Sequence, residues 1–291
     1  MIRSDSEDGR RSPQAAASIV VKVGGGAGID VEAVLDDIAQ MWKEGERVVL
    51  VHGASDETNQ LSERLGIPPR FVTSVSGHVS RFTDEATLDA FAMASGKLNL
   101  RVVESLQKRG CNAVGLTGVD GRLLEGQRKD AIKAVVDGKK VVLRGDHTGT
   151  IETVNAGLLR LLLENGYLPV VTVPAISAAG EAVNADADRA AAAIAGALGA
   201  EALIILSNVP GLLRDVDDPS SLISRVPQEG LARAAEFAQG RFKKKILGAE
   251  EAFALGVGRV VFATANRTDP VLSARNGGGT HIFRPGFEVP R

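Results

Sequence analysis

"SIVVKVGGGAG", residues 18–28, is an apolar run of strand length that ends in three consecutive glycines. The run predicts a buried strand, and the glycines after it let backbone N–H groups approach a ligand because no Cβ obstructs them. A helix that begins near Gly28 would favour an anion at its N-terminus. Lys22 lies inside the predicted strand, where a lysine is costly unless it meets an anion. The stretch therefore predicts a phosphate-binding loop, with a purely structural turn as the alternative.

Strand-like and helix-like patterns alternate along the rest of the chain. Further apolar runs predict strands at 47–53, 112–118, 168–177, 201–207 and 259–265. Helical spacing of apolar residues predicts helices at 31–45, 56–65, 84–109, 154–166, 186–199 and 229–255. Asp137-Gly138 between two apolar alternations predicts a β-hairpin over 131–145. The fold class that follows is α/β, a three-layer α/β/α sandwich with a mostly parallel central sheet plus a β-hairpin insertion.

Composition excludes several classes of protein. The chain has 291 residues with a formal net charge of −2, which argues against general nucleic-acid binding. Cys111 is the only cysteine and the four histidines show no metal-ligand spacing, so neither a disulfide nor a metal cluster is predicted. No apolar run reaches the roughly 18–20 residues of a membrane helix. Residues 1–17 lack the apolar core of a signal peptide and are interpreted as a mobile extension of a cytoplasmic protein.

The other strand ends also carry small or polar residues. Gly53, Ala54 and Ser55 form a second small-residue turn before a helix, which beside the first would make a double anion cradle or be only a tight turn. Asp186 and Asp188 lie where a strand exit enters an alanine-rich helix, and either is suited to cap that helix. In parallel sheets, ligands bind at these carboxyl ends.

Two well-known nucleotide-binding templates do not fit. The glycine run lacks the third glycine of the dinucleotide fingerprint, because position 29 is isoleucine. Gly96-Lys97 is followed by Leu98 and has no glycine five residues before Gly96, so a Walker A loop is absent. A nicotinamide-dependent dehydrogenase is therefore disfavoured.

The segment between Arg122 and Arg144 is locally basic. Its cationic side chains belong to Arg122, Arg128, Lys129, Lys133, Lys139, Lys140 and Arg144, against three carboxylates. The segment is either an ordinary solvated hairpin or a landing surface for an acidic partner.

Six motifs occur in the order that is typical of the amino acid kinase family. They are Lys22 with Gly24 and Gly25, "VHGAS", "SRFTD", "AVNAD", "LSNVPGLL" and "GRFKKKILGAEEA", and the match extends over residues 18–284. The acetylglutamate kinase branch is similar, but Ala54-Ser55 replaces Gly-Gly and Ala182 replaces the first asparagine of N-V-N-A-D. These departures, with "HVSRFTD", "DGRLLEG" and "RGDHTGT", resemble the carrier-dependent kinases of lysine biosynthesis.

The resemblance implies an ATP-dependent phosphotransferase with a carboxyl group as acceptor. Such kinases transfer the γ-phosphoryl group of ATP to a side-chain carboxylate, and Mg²⁺ accompanies the nucleotide through water rather than in a carboxylate cage. By this resemblance residues 18–178 form an N-terminal lobe that binds the amino acid and its carrier. Residues 179–291 form a C-terminal lobe that binds ATP, within one continuous kinase domain.

The resemblance also assigns roles to individual residues. Lys22 and Lys245 would be the two catalytic lysines, with Lys244 as the alternative to Lys245, and Asp186 would orient them while Asp188 serves the helix. The other implied residues are Arg81, Asn184, Gly53, Ala54 and Ser55 for the acceptor, of which Arg81 holds the α-carboxylate, and Gly24, Gly25, Ser207, Asn208 and Gly211 for ATP.

The implied partner is a small acidic amino-group carrier protein of the LysW type, which presents 2-aminoadipate or glutamate. The implied docking residues are Arg128, Lys129, Lys139, Lys140 and Arg144. Phosphorylation of N-acetylglutamate in arginine biosynthesis is the alternative activity. A non-catalytic sensor would be expected to lose one of Lys22, Asp186 or Lys245, and all three are present. A homodimer is implied by the resemblance alone.

Overall fold

A computed structural model describes residues 18–75, 77, 79–129, 131–136, 139–238 and 242–287. The predicted N-terminal extension (1–17) and the predicted Asp137-Gly138 turn lie outside these residues. The helices are α1 (Val31–Lys43), α2 (Ser55–Arg64), α3 (Glu85–Lys108), α4 (Ala156–Glu164), α5 (Ala187–Leu198), α6 (Leu231–Ala234), α7 (Phe242–Ala254) and α8 (Pro270–Arg275). Among the described residues no helix has both the length and the apolarity needed to cross a membrane.

The strands form one large sheet and two small ones. They are β1 (Ser18–Val23), β2 (Arg47–His52), β3 (Phe71–Ser74), β4 (Val79–Arg81), β5 (Ala113–Thr117), β6 (Leu124–Arg128), β7 (Ala131–Val136), β8 (Lys139–Arg144), β9 (Gly149–Val154), β10 (Leu168–Thr172), β11 (Ala175–Ser177), β12 (Ala182–Val183), β13 (Ala202–Ser207), β14 (Arg225–Pro227), β15 (Arg259–Thr264) and β16 (Thr280–Phe283).

The large sheet has eight strands in the order β14-β16-β15-β13-β1-β2-β10-β5. Every neighbouring pair is parallel except β15 with β16, which is antiparallel. The predicted mostly parallel sheet is therefore confirmed. Strands from before residue 178 occupy one half of the sheet and later strands the other, and the halves join where β1 pairs with β13. Lys22, near the end of β1, consequently lies in the middle of the sheet.

Each face of the large sheet is covered by helices, because the central strands are apolar on both sides. Along β1, Val21 packs into a core with α1, α3 and α8, whereas its neighbour Val20 packs into the opposite core with α4, α5 and α7. This two-sided burial explains why the parallel strands are continuous apolar runs. The three-layer α/β/α arrangement is confirmed.

The predicted β-hairpin is confirmed and belongs to one of the small sheets. β7 and β8 pair in antiparallel fashion over six residues, from Ala131 opposite Arg144 to Val136 opposite Lys139. The hairpin continues a four-stranded sheet in the order β4-β3-β7-β8, and the other small sheet has the order β12-β11-β6-β9. One side of the hairpin sheet covers a small core of Val72, Phe82, Ile132 and Ala134.

Two predicted elements are interrupted. The strand predicted over 168–177 divides into β10 and β11, because Pro174 has no backbone N–H with which to continue the ladder. The helix predicted over 229–255 is also broken: α6 and a short 3₁₀ turn end before Ala238, which has an extended backbone, and α7 begins at Phe242.

His52, the last residue of β2, makes the stability of the fold depend on pH. Burial lowers the pKa of His52 to about 4, and the positive charge of Lys22 acts in the same direction. Below about pH 6.5, His52 is protonated in the unfolded chain but stays neutral in the folded chain. The contribution of His52 to the free energy of unfolding is therefore fully present above that pH and is lost as the pH falls towards 4. We expect His52 to contribute about 2 kcal/mol to the loss of unfolding free energy between pH 7.5 and pH 5.

Urea unfolding at the two pH values measures this loss, with His52→Leu as the matched variant. The leucine variant is expected to show a weaker pH dependence than the wild-type chain. If both proteins lose the same unfolding free energy between the two pH values, the pKa of His52 is not lowered by folding.

Candidate active site

Two lysines and one aspartate meet at the carboxyl end of β1. Lys22 Nζ lies 2.6 Å from Asp188 Oδ1, and Lys245 Nζ donates a hydrogen bond to Asp188 Oδ2 at 3.3 Å. The three side chains come from β1, the first turn of α5 and the first turns of α7. All three residues are buried. The two lysines that the sequence predicted, 223 positions apart, are therefore brought to one carboxylate.

The cluster carries one more positive charge than negative charge. Burial alone would raise the pKa of the Asp188 carboxyl, but the charges of Lys22 and Lys245 hold this pKa well below its usual range. Burial lowers the pKa of Lys245, and Asp188 opposes that effect. Because buried charges are stable only when they are paired, the excess cation favours an anionic ligand at this position.

The two aspartates make contacts opposite to those expected from the sequence. Asp186 caps α5: its Oδ1 accepts hydrogen bonds from Asp188 N at 2.9 Å and Arg189 N at 3.2 Å. Its backbone is extended, as an N-cap residue requires, and its side chain folds back onto the first turn. Asp188, the second residue of the helix, is free to reach both lysines. The observed contacts therefore differ from the predicted ones: Asp188 contacts both lysines and Asp186 caps the helix, while the catalytic role of Asp186 stays a prediction.

The two glycine-containing loops pack directly against each other beside the cluster. Gly25 O accepts hydrogen bonds from Asp56 N at 2.8 Å and Ser55 Oγ at 2.9 Å. A Cβ on Gly25 would lie 2.3 Å from the carbonyl carbon of Gly53, so only glycine fits there. Gly53 and Ala54 lead into α2, whose N-terminus favours an anion. The loops thus form a joint cradle of backbone groups.

The residues that the resemblance assigned to ATP lie at the neighbouring strand end. Gly24 N donates to Leu206 O at 3.0 Å, which ties the first glycine loop to the end of β13. Ser207 is the last residue of β13 and is buried, whereas Asn208 after it is exposed. A Cβ on Gly211 would lie 2.5 Å from Thr280 Oγ1, so this turn also requires glycine. The structure brings Gly24 and Ser207 together, as predicted for one edge of the sheet.

Arg81 presents an unused donor close to the second glycine loop. Its Nη2 donates to Asn59 Oδ1 at 2.5 Å and to Ser55 O at 3.4 Å, and its guanidinium lies 5.0 Å from the ring centroid of Phe71. Its Nη1 is buried and has no hydrogen-bond partner among the described residues. Burial lowers the pKa of the guanidinium. A buried, unpaired Arg N–H suits a carboxylate or phosphate ligand.

Asn184 joins the acceptor side of the site through Thr83. Its side-chain amide donates to Thr83 Oγ1 at 2.9 Å, and Thr83 lies two residues after Arg81. Asn59 and Thr83 were not singled out from the sequence. Asn59 lies one helical turn after Ser55, which is the signal that would have indicated it.

The predicted docking residues divide into two groups. Lys129, Lys139, Lys140 and Arg144 are exposed and make no ion pair with another described residue. Arg128, by contrast, is used within the chain. It donates from Nε to Asp146 O at 3.0 Å, pairs with Glu181 at 3.2 Å and contacts His147 Nε2 at 3.2 Å. Arg128 is therefore partly engaged within the chain, and its role as a docking residue stays a prediction.

Carboxylates and histidines do not gather into a metal site within the described ranges. No group of three or more His, Cys, Asp or Glu side chains there could hold a metal ion. Besides Asp188 and Asp186, the polar groups at the site are lysines, an arginine, amides and backbone N–H groups, which are suited to anions.

Comparisons with known proteins agree with this geometry. The sequence profile described as "Amino acid kinase family" matches residues 17–264. A protein of Deinococcus radiodurans named "[LysW]-aminoadipate kinase" is 58% identical over 265 residues, 91% of each chain. A protein of Thermus thermophilus with the same name is 54% identical over 267 residues, 91% of this chain and 99% of its own. The N-acetylglutamate synthase structure from Neisseria gonorrhoeae superposes with a TM-score of 0.75 at 26% identity, covering 93% of this chain and 60% of that one.

Proposed function

This chain belongs to the amino acid kinase family, and we propose that it phosphorylates the side-chain carboxylate of 2-aminoadipate bound to a LysW-type carrier protein. The reaction consumes ATP, yields an acyl phosphate and serves lysine biosynthesis in the cytoplasm. The proposed phosphoryl transfer is supported by the buried cluster of Lys22, Asp188 and Lys245, which has an excess of positive charge. The choice of carrier-bound 2-aminoadipate as the acceptor is supported by the names of the similar proteins.

The cluster provides what phosphoryl transfer between two anions requires. Both ATP and the attacking carboxylate are negative, so the reaction needs positioning and charge neutralisation more than covalent help. Lys22 and Lys245 approach one carboxylate from a strand and from a helix, and we propose that they contact the transferred phosphoryl group. Asp188 keeps the two ammonium groups charged and at a defined separation. Fixed charges of this kind stabilise the developing oxyanions without reorganisation.

Arg81 is proposed to bind the α-carboxylate of the amino acid. Its buried Nη1 has no protein partner among the described residues, so a ligand carboxylate would complete its hydrogen bonding. Asn184 and the loop of Gly53, Ala54 and Ser55 are proposed to hold the rest of the acceptor. Arg81 contacts Ser55 O, and this contact places the arginine beside that loop.

The nucleotide is proposed to lie on the side of Gly24, Gly25, Ser207, Asn208 and Gly211. Gly24 directly follows β1 and Ser207 ends the adjacent strand β13, and the hydrogen bond from Gly24 N to Leu206 O at 3.0 Å joins the two strand ends. Mg²⁺ would be bound through the phosphates of ATP, which it helps to neutralise. The described residues near the site hold no carboxylate cage for it.

The exposed face of the hairpin sheet is proposed as the docking surface of the carrier. Lys140 and Arg144 on β8 lie on the same four-stranded sheet as Arg81 on β4. Three strand spacings separate β8 from β4, which is about 14 Å. A small carrier seated on the hairpin would therefore have to extend only a short segment to bring its cargo to Arg81. An acidic carrier is attracted to such a face over roughly one Debye length, about 8–10 Å.

Charge reversal on the hairpin tests this docking surface. We expect Lys140→Glu with Arg144→Glu to raise the KM for the carrier-bound substrate about tenfold at low salt and to leave the KM for ATP unchanged. The increase should shrink as salt screens the charges. Lys43→Glu at the end of α1 is the matched control, since Lys43 is also exposed but lies on another element. An equal effect of both changes would reject the docking surface.

The proposed activity itself is tested by trapping the acyl phosphate as a hydroxamate. The assay uses Mg-ATP with either carrier-bound aminoadipate or free N-acetylglutamate. Signal with the carrier-bound form alone supports the proposal. Signal with N-acetylglutamate alone would assign the enzyme to the acetylglutamate kinase activity. Carrier-bound glutamate is the third acceptor, since it differs from aminoadipate by one methylene and a pocket discriminates such pairs by only about 1–3 kcal/mol.

We also propose that the protein is a homodimer. The central helix α3 exposes Met93 and Leu100, which are 51% and 65% accessible and lie two turns apart on the same face. A second copy would cover this apolar stripe. Light scattering after size exclusion measures the mass, and a monomeric mass would reject the proposal.

A further inference from the structure

Asp146 is a fully buried carboxylate that lies outside the lysine cluster. It is 0% exposed, and both of its oxygens accept hydrogen bonds from the chain. Oδ1 accepts from Thr83 N at 2.8 Å, and Oδ2 accepts from Thr148 N at 3.0 Å and from the Thr148 hydroxyl. Because a buried carboxylate is costly without such donors, three of them at one side chain indicate a position that the fold maintains specifically.

Thr83 connects this carboxylate to Arg81. The Thr83 hydroxyl donates to Arg81 O at 3.3 Å, and its backbone N–H is the one that Asp146 Oδ1 accepts. Thr83 O in turn accepts from His147 N at 2.6 Å. Both backbone groups of Thr83 are therefore fixed to the segment that begins with Asp146, and the Thr83 hydroxyl connects them to Arg81. Arg81 is the residue with the unused buried N–H.

The same segment also fixes Asn184. Asn184 N donates to His147 O at 2.8 Å, and Asn184 O accepts from Gly149 N at 2.9 Å. The side-chain amide of Asn184 donates to Thr83 Oγ1 at 2.9 Å, so Asn184 is joined to Thr83 as well as to the segment that follows Asp146. Three segments that are distant in sequence thus meet at Asp146, and two of them carry proposed acceptor-binding residues.

We infer that Asp146 is a positioning residue of the acceptor site, which sets the relative placement of Arg81 and Asn184 through Thr83 and Thr148. The inference rests on the proposed function, because Arg81 and Asn184 are assigned to the acceptor there. Asp146 does not contact the reacting groups of the lysine cluster: its described partners are Thr83, Thr148 and the Arg128 Nε that binds its carbonyl oxygen. Its loss should therefore change acceptor binding more than nucleotide binding.

Asp146→Asn removes the negative charge with almost no change of shape. The amide has one oxygen and one NH₂ group, so the NH₂ must face either the N–H of Thr83 or the N–H of Thr148. Two donors that face each other force the segments apart. Small displacements of this kind are enough to change turnover or affinity by roughly 10- to 100-fold.

Asp37 provides a matched control. It is also a buried aspartate, and its Oδ2 accepts from two backbone N–H groups, Val271 N at 2.7 Å and Leu272 N at 3.1 Å. It joins α1 to α8 on the other face of the large sheet. Asp37→Asn therefore also removes a buried carboxylate charge without touching Thr83 or Asn184, but its amide oxygen can still accept from both N–H groups, so the donor conflict is specific to Asp146→Asn.

The experiment measures the KM for the acceptor, the KM for ATP and the melting temperature for both variants. We expect Asp146→Asn to raise the acceptor KM at least tenfold with the ATP KM within twofold. Asp37→Asn should lower the melting temperature without that split. If Asp146→Asn only lowers the melting temperature, or raises both KM values equally, the inference is overturned.

A milder pair of variants keeps the test valid if Asp146→Asn does not fold. Thr148→Val deletes the hydroxyl that Asp146 Oδ2 accepts, whereas Thr148→Ser retains it. Thr148→Val should raise the acceptor KM by a smaller factor than Asp146→Asn and leave the ATP KM unchanged. Thr148→Ser should have the wild-type acceptor KM. Equal values in the two variants would contradict the inference.

The result is separable from the proposed function. The wild-type assay first shows whether carrier-bound aminoadipate, carrier-bound glutamate or N-acetylglutamate is the acceptor. The variants are then measured with whichever acceptor is active. A wild-type enzyme that uses N-acetylglutamate alone would reject the proposed substrate and leave the role of Asp146 open to the same KM comparison.

Discussion

Lys245→Ala is expected to lower kcat by roughly 100- to 1,000-fold, and Lys22→Ala by a similar factor. Each substitution removes one of the two positive charges that face the same carboxylate, at 2.6 Å for Lys22 and 3.3 Å for Lys245. The fold should survive, because Asp188 keeps one lysine partner in either variant. Since the lost interaction forms with the transferred phosphoryl group, the KM for ATP should change much less than kcat.

The lysine run supplies controls for this prediction. Lys243, two residues before Lys245, is exposed, so Lys243→Ala should leave kcat within twofold. Lys244→Ala tests the register of the motif. If Lys244→Ala abolishes turnover and Lys245→Ala does not, the assignment of Lys245 is wrong. Single-turnover measurements separate the chemical step from product release, and melting temperatures show whether a variant has simply unfolded.

The positions of the two lysines could be predicted because each depends on a local pattern. Lys22 interrupts an apolar strand directly before glycines, and the strand ends of a parallel sheet share one edge. Lys245 was assigned from the alignment of its motif alone. Its ion pair with Asp188 shows that it lies at the same place as Lys22. The glycine loops were predictable for the same reason, since glycine is required where two backbones approach as closely as Gly25 and Gly53 do.

The contacts of the two aspartates could not be predicted, because the sequence alone does not show which of two carboxylates near a helix start is its cap. Asp186 and Asp188 are both typical of a helix start, and one residue decides which of them turns back and which points outward. The N-cap requires an extended backbone, so the helix must begin after Asp186 for Asp188 to be free. The exact residue at which a helix begins is the least certain part of a prediction from sequence.

The internal contacts of Arg128 and the burial of Asp146 were not predicted for a different reason. Both act through contacts with residues 18–63 positions away, such as Asp146 O for Arg128 and Thr83 N for Asp146. A run of basic residues predicts a charged surface, but it does not show which guanidinium is already bound to a carbonyl and to Glu181. These neighbours come from segments that only the tertiary fold brings together, and a short motif does not encode them.

The contacts of Asp188 lead to a second large effect. Asp188→Asn is expected to lower kcat by roughly 100- to 1,000-fold, a loss comparable to that of either lysine. It should also lower the free energy of unfolding by about 3–5 kcal/mol, because Lys22 and Lys245 would remain buried without their shared carboxylate. Burial already lowers the pKa of Lys245 against the opposing charge of Asp188, so the variant should favour a neutral Lys245.

Asp186→Asn is the matched control, and it reverses the prediction made from sequence. Asparagine caps a helix about as well as aspartate, so the Oδ1 bonds to Asp188 N and Arg189 N can persist. We expect Asp186→Asn to lower the free energy of unfolding by less than about 1 kcal/mol and kcat by less than about tenfold. Urea unfolding and steady-state kinetics on the two variants decide between the aspartates. If Asp186→Asn loses as much turnover as Asp188→Asn, the carboxylate between the lysines is not the one on which catalysis depends.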